Sequence, residues 1–74
     1  MTVYVENPSS KTDYLTSFDN LQKAEDFILL ENTNNGFWLI GDEWKSCDKL
    51  LPCKVISSNE AYKILSSGVR SRVG

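Results

Sequence analysis

The order of hydrophobic and polar positions predicts that the chain begins with a β-hairpin. Residues 2–6 alternate two valines with polar or aromatic residues, which is the pattern of a strand with one buried face. Residues 7–13 are rich in types that set a turn dihedral or bond their own backbone. Residues 14–16 then provide a short return strand.

A first helix is predicted over residues 18–31, where the apolar positions recur with a helical period. Ser17 or Asp19 caps it, because either side chain can accept a hydrogen bond from the first turn. Residues 32–36 are rich in Asn and end the helix, since Asn and Gly tolerate the left-handed conformation. A competing interpretation, which the pattern leaves open, makes residues 28–31 a strand. The apolar side chains that share the inner face of the helix are Leu21, Ala24, Phe27 and Ile28.

A second hairpin is predicted over residues 37–46, with a Gly-Asp loop between its strands. Glycine at the first position of a two-residue loop suits a type II′ turn. This loop pairs Leu39 with Trp44, whereas a three-residue loop would pair Ile40 with Trp44.

The side chains of this hairpin alternate between its two faces. Phe37, Leu39 and Trp44 share the face that is expected to pack under the helices. The other face mixes apolar side chains with a charge pair, as a half-exposed surface does, and its tryptophan is either exposed or covered by the tail or a loop of the same chain. This outer face carries Trp38, Ile40, Glu43 and Lys45.

The C-terminal part predicts a strand over residues 54–56 and a second helix over residues 58–67. Ser57 and Glu60 have the spacing of a capping box at the start of this helix. Gly68 follows the last turn, where glycine commonly ends a helix.

Together these elements predict one small α+β domain over residues 1–69, in the order ββαβββα. Its expected architecture is an antiparallel sheet of four to five short strands with both helices on one face. Residues 70–74 are expected to form a short basic C-terminal tail. The side chains expected in the core are Leu21, Ala24, Phe27, Ile28, Phe37, Leu39, Trp44, Ile56, Ile64 and Leu65.

The composition argues against catalysis and against a metal or cofactor site. The chain has no histidine, which is the commonest general base and metal ligand. It has no Gly-rich phosphate-binding loop, and its serines have no obvious base. Cys47 and Cys53 lack the Cys-x-x-Cys spacing, so both thiols are expected to be reduced and dispensable, with a disulfide between them as the alternative. The sequence therefore predicts no enzyme, no cofactor and no metal.

The charge is weakly negative and changes sign along the chain. The formal net charge is -2, with more acids than bases in residues 1–37 and more bases than acids in residues 38–74. No segment approaches the ~20 apolar residues that span a bilayer, and the N-terminus has no secretory-signal pattern. These features predict a soluble, cytoplasmic protein.

A non-catalytic protein-binding module is the function that these features favour. An exposed tryptophan is a good interface anchor, because it buries a large area at little entropy cost. Small domains without catalytic groups are common among phage-encoded inhibitors of host enzymes, an analogy of size and composition. Such a protein would act by occlusion in the host cytoplasm, as a monomer or as a homodimer joined through an exposed edge strand of residues 2–6. The expected contact residues are Trp38, Ile40, Glu43, Lys45 and Asp26.

The alternative function is that of a nucleic-acid-binding accessory protein that uses the basic C-terminal part. Tyr62 or Trp38 would stack on bases. The net acidity counts against this function, and the acids are too diluted by bases for a DNA mimic. The basic residues of this alternative site are Lys54, Lys63, Arg70 and Arg72.

Overall fold

The computed structural model of the chain describes residues 1–10, 12–47, 50–69 and 71–74. Its secondary structure follows the order ββαβββαβ. The elements are β1 (Val3–Glu6), β2 (Leu15–Phe18), α1 (Leu21–Asn34), β3 (Trp38–Ile40), β4 (Glu43–Lys45), β5 (Lys54–Ile56), α2 (Ser58–Ser66) and β6 (Ser71–Val73).

The strands form two sheets, and the predicted α+β class is confirmed. One sheet has four strands in the order β5-β1-β2-β6, while β3 and β4 form a separate two-stranded sheet. β1 is antiparallel to β2 and β5, whereas β6 is parallel to β2, so the sheet is mixed rather than antiparallel throughout. β1 lies between β2 and β5. The prediction that residues 2–6 are an exposed edge is therefore wrong, because both of their hydrogen-bonding sides are occupied.

The last strand was not predicted, because residues 70–74 were expected to form a tail. Residues 71–73 instead pair in parallel with residues 15–17 of β2. The backbone N–H of Gly74 extends this pairing, since it donates to the carbonyl oxygen of Ser17 at 2.8 Å. Three exposed residues carry no periodic pattern that would indicate a strand, so only the tertiary pairing defines β6.

The two helices pack on opposite faces of the four-stranded sheet, which corrects the prediction that they share one face. Val3 and Val5 of β1 cluster with Phe18 of β2 and with Ala24 of α1. Tyr4, between the two valines, points to the other face because side chains alternate along a strand. The cluster that Tyr4 joins contains Leu15, Ile56 and Ala61, with Ile64 and Leu65 of α2.

The order of the strands explains why the helices lie on opposite faces. β2, β5 and β6 are parallel to one another, so α1 lies in a crossover from β2 to β5, and α2 in one from β5 to β6. Crossovers between parallel strands have the same hand in nearly all proteins. Because these two run in opposite directions across the sheet, they place their helices on opposite faces. Without β6, the second crossover could not be predicted.

The buried core comes more from the first two strands than was predicted. Ala24, Phe37 and Ile56 are buried as predicted. Leu21 and Leu39 are exposed, so their assignment to the core is wrong. Leu21 is the first residue of α1, and Leu39 lies on a hairpin face that α1 covers incompletely. The other predicted core residues are half-buried: Phe27, Ile28, Trp44, Ile64 and Leu65. The buried apolar residues that were not in the predicted list are Val3, Val5, Leu15, Phe18, Cys53 and Ala61.

Helix α1 begins later than predicted, because Phe18 belongs to β2. Asn20 is its N-cap residue, and the Asn20 side chain accepts a hydrogen bond from the backbone N–H of Lys23 at 2.9 Å. The helix continues without interruption to Asn34. The competing interpretation of residues 28–31 as a strand is therefore wrong.

A buried amide connects α1 to the start of β5. The Asn32 side chain is fully buried, and its Oδ1 accepts the backbone N–H of Cys53 at 2.8 Å. Its Nδ2 donates to the backbone carbonyl of Cys53 at 3.4 Å. One side chain therefore satisfies both backbone groups of the residue that precedes β5, which fixes the position of that strand relative to the helix.

Candidate functional site

The predicted register of the β3–β4 hairpin is confirmed. Trp38 pairs with Lys45, and Leu39 pairs with Trp44. Of the two loop residues, only Gly41 has a positive φ, at +62°, as a type II′ turn requires. This register determines which side chains share each face of the hairpin.

The outer face of the hairpin, defined by Trp38, Ile40, Glu43 and Lys45, is open to solvent. The exposed fraction is 44% for Trp38 and 58% for Ile40. The alternative that Trp38 is covered by its own chain is therefore wrong. Two large apolar side chains are available for contact on one side of a short, separate sheet.

A charge pair lies beside these apolar side chains. The Nζ atom of Lys45 is 2.8 Å from Oε2 of Glu43. The hydrogen bond and the positive charge of Lys45 lower the pKa of the Glu43 carboxyl. Since both groups are largely exposed, the pair adds little to stability, but it places one charge of each sign next to Trp38 and Ile40.

The inner face of the hairpin forms a groove against α1 instead of closing onto it. Leu39 is 51% exposed and, with Trp44, lines a groove of about 350 Å³. Asp26 of α1 also lines this groove, and it accepts a hydrogen bond from the side chain of Gln22 at 2.9 Å. Asp26 therefore lies on the inner side of the hairpin, and the structure does not bring it together with Trp38.

The described basic residues of the alternative nucleic-acid site do not all lie in one patch. Lys54 on β5 and Arg72 on β6 lie at opposite edges of the four-stranded sheet, three strand spacings or roughly 14 Å apart. The guanidinium group of Arg72 is paired with Asp13 at 3.1 Å. Lys63 is exposed on α2, and Arg70 lies outside the described residues.

The two cysteines differ in accessibility. Both thiols are free, and Cys47 is exposed whereas Cys53 is buried. Burial, followed by the negative charge of Glu31, raises the pKa of Cys53 to about 11. Because the thiolate is the reactive form, Cys53 is a poor nucleophile at neutral pH.

A thiol-modifying disulfide reagent at pH 8 should therefore label Cys47 rapidly in the folded protein and Cys53 only after denaturation. Cys47→Ser should abolish the rapid phase, and Cys53→Ser should leave it unchanged. Labelling of both thiols at similar rates in native buffer would contradict the burial of Cys53.

A metal centre and a membrane-spanning helix are not found in the part of the chain that the structure describes. No three side chains of the His, Cys, Asp and Glu types come together there in a way that could hold a metal ion. Neither α1 nor α2 is long and apolar enough to cross a bilayer.

A second concave site, which was not predicted, lies between the C-terminal half of α1, the β1–β2 loop and β6. This site, called the β6 cleft, has a volume of about 440 Å³. Its residues come from three separate parts of the chain, within 7–18, 27–35 and 72–74, so no spacing in the sequence indicates it. The apolar lining consists of Phe18, Phe27 and Leu30. The polar lining includes Asn7, Asp13, Thr16, Glu31 and Arg72.

Comparison of the chain with protein-family models, with curated proteins and with solved structures finds no match. Its function is therefore inferred from the two surfaces described above, the outer face of the hairpin and the β6 cleft.

Proposed function

We propose that the protein is a non-catalytic protein-binding module whose contact surface is the outer face of the β3–β4 hairpin. The observation that carries this proposal is the exposure of Trp38 and Ile40 side by side on one face of the hairpin. In the four-stranded sheet, by contrast, most of the large apolar side chains are buried against a helix.

Trp38 is the anchor of this surface. Its backbone is already ordered by pairing with Lys45, so a partner that covers the indole ring restricts few additional degrees of freedom. The area that such a ring buries is large, which is why tryptophan is enriched among residues that dominate binding energies.

The Glu43–Lys45 pair forms a polar border beside the two apolar side chains. Polar residues at the rim of an interface contribute to orientation and to the exclusion of water more than to affinity. Asp26 lies on the other side of the hairpin, so its contribution is limited to the long-range attraction of a basic partner.

The proposed mechanism is occlusion of the partner. The outer face offers apolar area and one charge pair, which suit covering a surface rather than transforming a substrate. Small inhibitors without catalytic groups, such as those that phages direct at host enzymes in the host cytoplasm, work in this way, and this chain matches them in size and composition.

Trp38→Ala should weaken binding of the partner about thirtyfold, because truncation of a buried interface tryptophan commonly costs at least about 2 kcal/mol. The partner is first captured from its native or host cell with the tagged protein, and the dissociation constant is then measured with both proteins purified. The circular dichroism spectrum should stay unchanged, since Trp38 points away from α1.

Tyr62→Ala is the matched control, because this aromatic side chain is similarly exposed but lies on α2. It should leave the dissociation constant within about twofold. Equal affinities of the wild type and Trp38→Ala, with both proteins folded, would rule out the outer face as the contact surface.

A further inference from the structure

We propose that the β6 cleft binds a small organic amine in its protonated form. This site is separate from the outer face of the hairpin. The shape of the cleft, two buried oxygens without partners in the described part of the chain, and the charges of the lining support this assignment.

The cleft exists because the sheet extends beyond the helix that covers it. α1 packs over β1 and β2, and β6 adds a further strand on the far side of β2. The β1–β2 loop closes one end of the gap. A volume of about 440 Å³ lies within the usual range of sites for small molecules, roughly 300–1,000 Å³.

Two buried oxygen atoms in the lining residues have no hydrogen-bond partner among the residues that the structure describes. They are Oδ1 of Asn7 and Oγ1 of Thr16, in side chains of residues that are only 4% and 2% exposed. Buried polar groups are nearly always hydrogen-bonded, so two such oxygens in residues that line one cleft are unusual. The backbone N–H of Asn7 donates to the carbonyl of Tyr14 at 2.7 Å, and this bond holds the residue in place. Oδ1 of Asn7 can only accept a hydrogen bond, whereas Oγ1 of Thr16 can accept or donate. A ligand that donates therefore satisfies both oxygens, and one that only accepts cannot satisfy Asn7.

The charges of the lining favour a cationic ligand over an anionic one. Arg72, the cation among the described lining residues, is already neutralised by Asp13 at 3.1 Å. Glu31 makes no ion pair with any described residue. Among the described residues, the lining therefore leaves the Glu31 carboxylate without a counter-ion, and this carboxylate would repel an anion placed in the cleft.

The apolar wall favours an organic cation over an inorganic one. The rings of Phe18 and Phe27 lie 5.1 Å apart between centroids and are tilted by 47°. Aromatic faces attract cations and also bury alkyl or aryl groups. An ammonium group that donates to oxygen atoms, attached to an apolar body that contacts the rings, matches both halves of the lining.

The proposal is tested with phenethylamine as the probe and phenylacetate as the matched anion. Titrations are followed by ¹H–¹⁵N NMR spectra of the whole protein at pH 7. Phenethylamine should cause saturable shifts at residues of the cleft, including Asn7, Thr16 and Phe18. Phenylacetate should bind at least about tenfold more weakly, because it places a like charge near Glu31.

Two variants test the assigned contacts. Thr16→Val removes the hydroxyl group at nearly constant volume and should weaken phenethylamine binding about two- to tenfold. Glu31→Gln should weaken it about two- to fivefold, since the carboxylate is only partly buried. Glu25→Gln is the control for Glu31→Gln, because it makes the same change on α1 at the hairpin groove, and it should have no effect.

Three results would overturn the proposal. These are the absence of saturable shifts with phenethylamine at millimolar concentration, equal binding of phenethylamine and phenylacetate, and shifts confined to the hairpin groove. If Thr16→Val fails to fold, Glu31→Gln still tests the proposal. An unchanged affinity of this folded variant for phenethylamine would exclude a contact between the ammonium group and the Glu31 carboxylate.

Discussion

Phe37→Ala should lower the free energy of unfolding by about 3–5 kcal/mol, the usual loss for a buried phenylalanine. Phe37 is buried at the junction of α1 and β3, and its backbone N–H donates to the carbonyl of Asn32 at 2.9 Å. A domain of this length has a total stability of about 4–11 kcal/mol. The substitution should therefore leave a large fraction of the protein unfolded, as measured by urea denaturation followed by circular dichroism.

Leu39→Ala provides the control on the same face of the hairpin. Leu39 is about half exposed, so its truncation should cost less than about 1 kcal/mol. A loss below 1 kcal/mol for Phe37→Ala, or equal losses for the two variants, would contradict the assignment of Phe37 as the buried anchor of the hairpin.

Asn32→Ala should have the second-largest effect, a loss of about 2–4 kcal/mol of stability. The substitution leaves the buried N–H and C=O groups of Cys53 without their partner side chain. The penalty arises from unsatisfied backbone groups rather than from lost apolar area. Hydrogen exchange at the amide of Cys53 should therefore accelerate in this variant even where the protein remains folded.

Asn34→Ala is the matched control, because it makes the same chemical change two residues later on an exposed part of α1. Its effect should stay within about 0.5 kcal/mol. If both variants retained wild-type stability, the connection between α1 and β5 would not depend on the Asn32 side chain.

The elements that depend on local chemistry could be predicted from the sequence. The Gly41-Asp42 loop determines the hairpin register, because the turn type and the loop length together specify which residues pair. Helix α2 was predicted within one residue of its end, since Ser57 caps it and Gly68 follows its last turn. The separation of Trp38 from Leu39 on opposite faces follows from the alternation of side chains along a strand, and the register places Trp44 on the face of Leu39.

The features that depend on contacts between distant residues could not be predicted. β6 consists of three exposed residues, and its pairing partner lies more than 50 positions earlier in the chain. The opposite placement of the helices and the existence of the β6 cleft both depend on that one pairing. Leu39 was expected in the core because alternation along the strand puts it on the same face as Phe37. Alternation does not indicate how completely α1 covers that face, and Leu39 is exposed.

Site-specific photo-crosslinking can show whether a protein partner contacts the outer face of the hairpin. A photoreactive amino acid is placed at Ile40 in one variant and at Tyr62 in another, two positions with the same exposed fraction of 58%. We expect the partner to be crosslinked from position 40 and not from position 62. Crosslinking from position 62 with none from position 40 would place the interface on α2 and contradict the proposed contact surface.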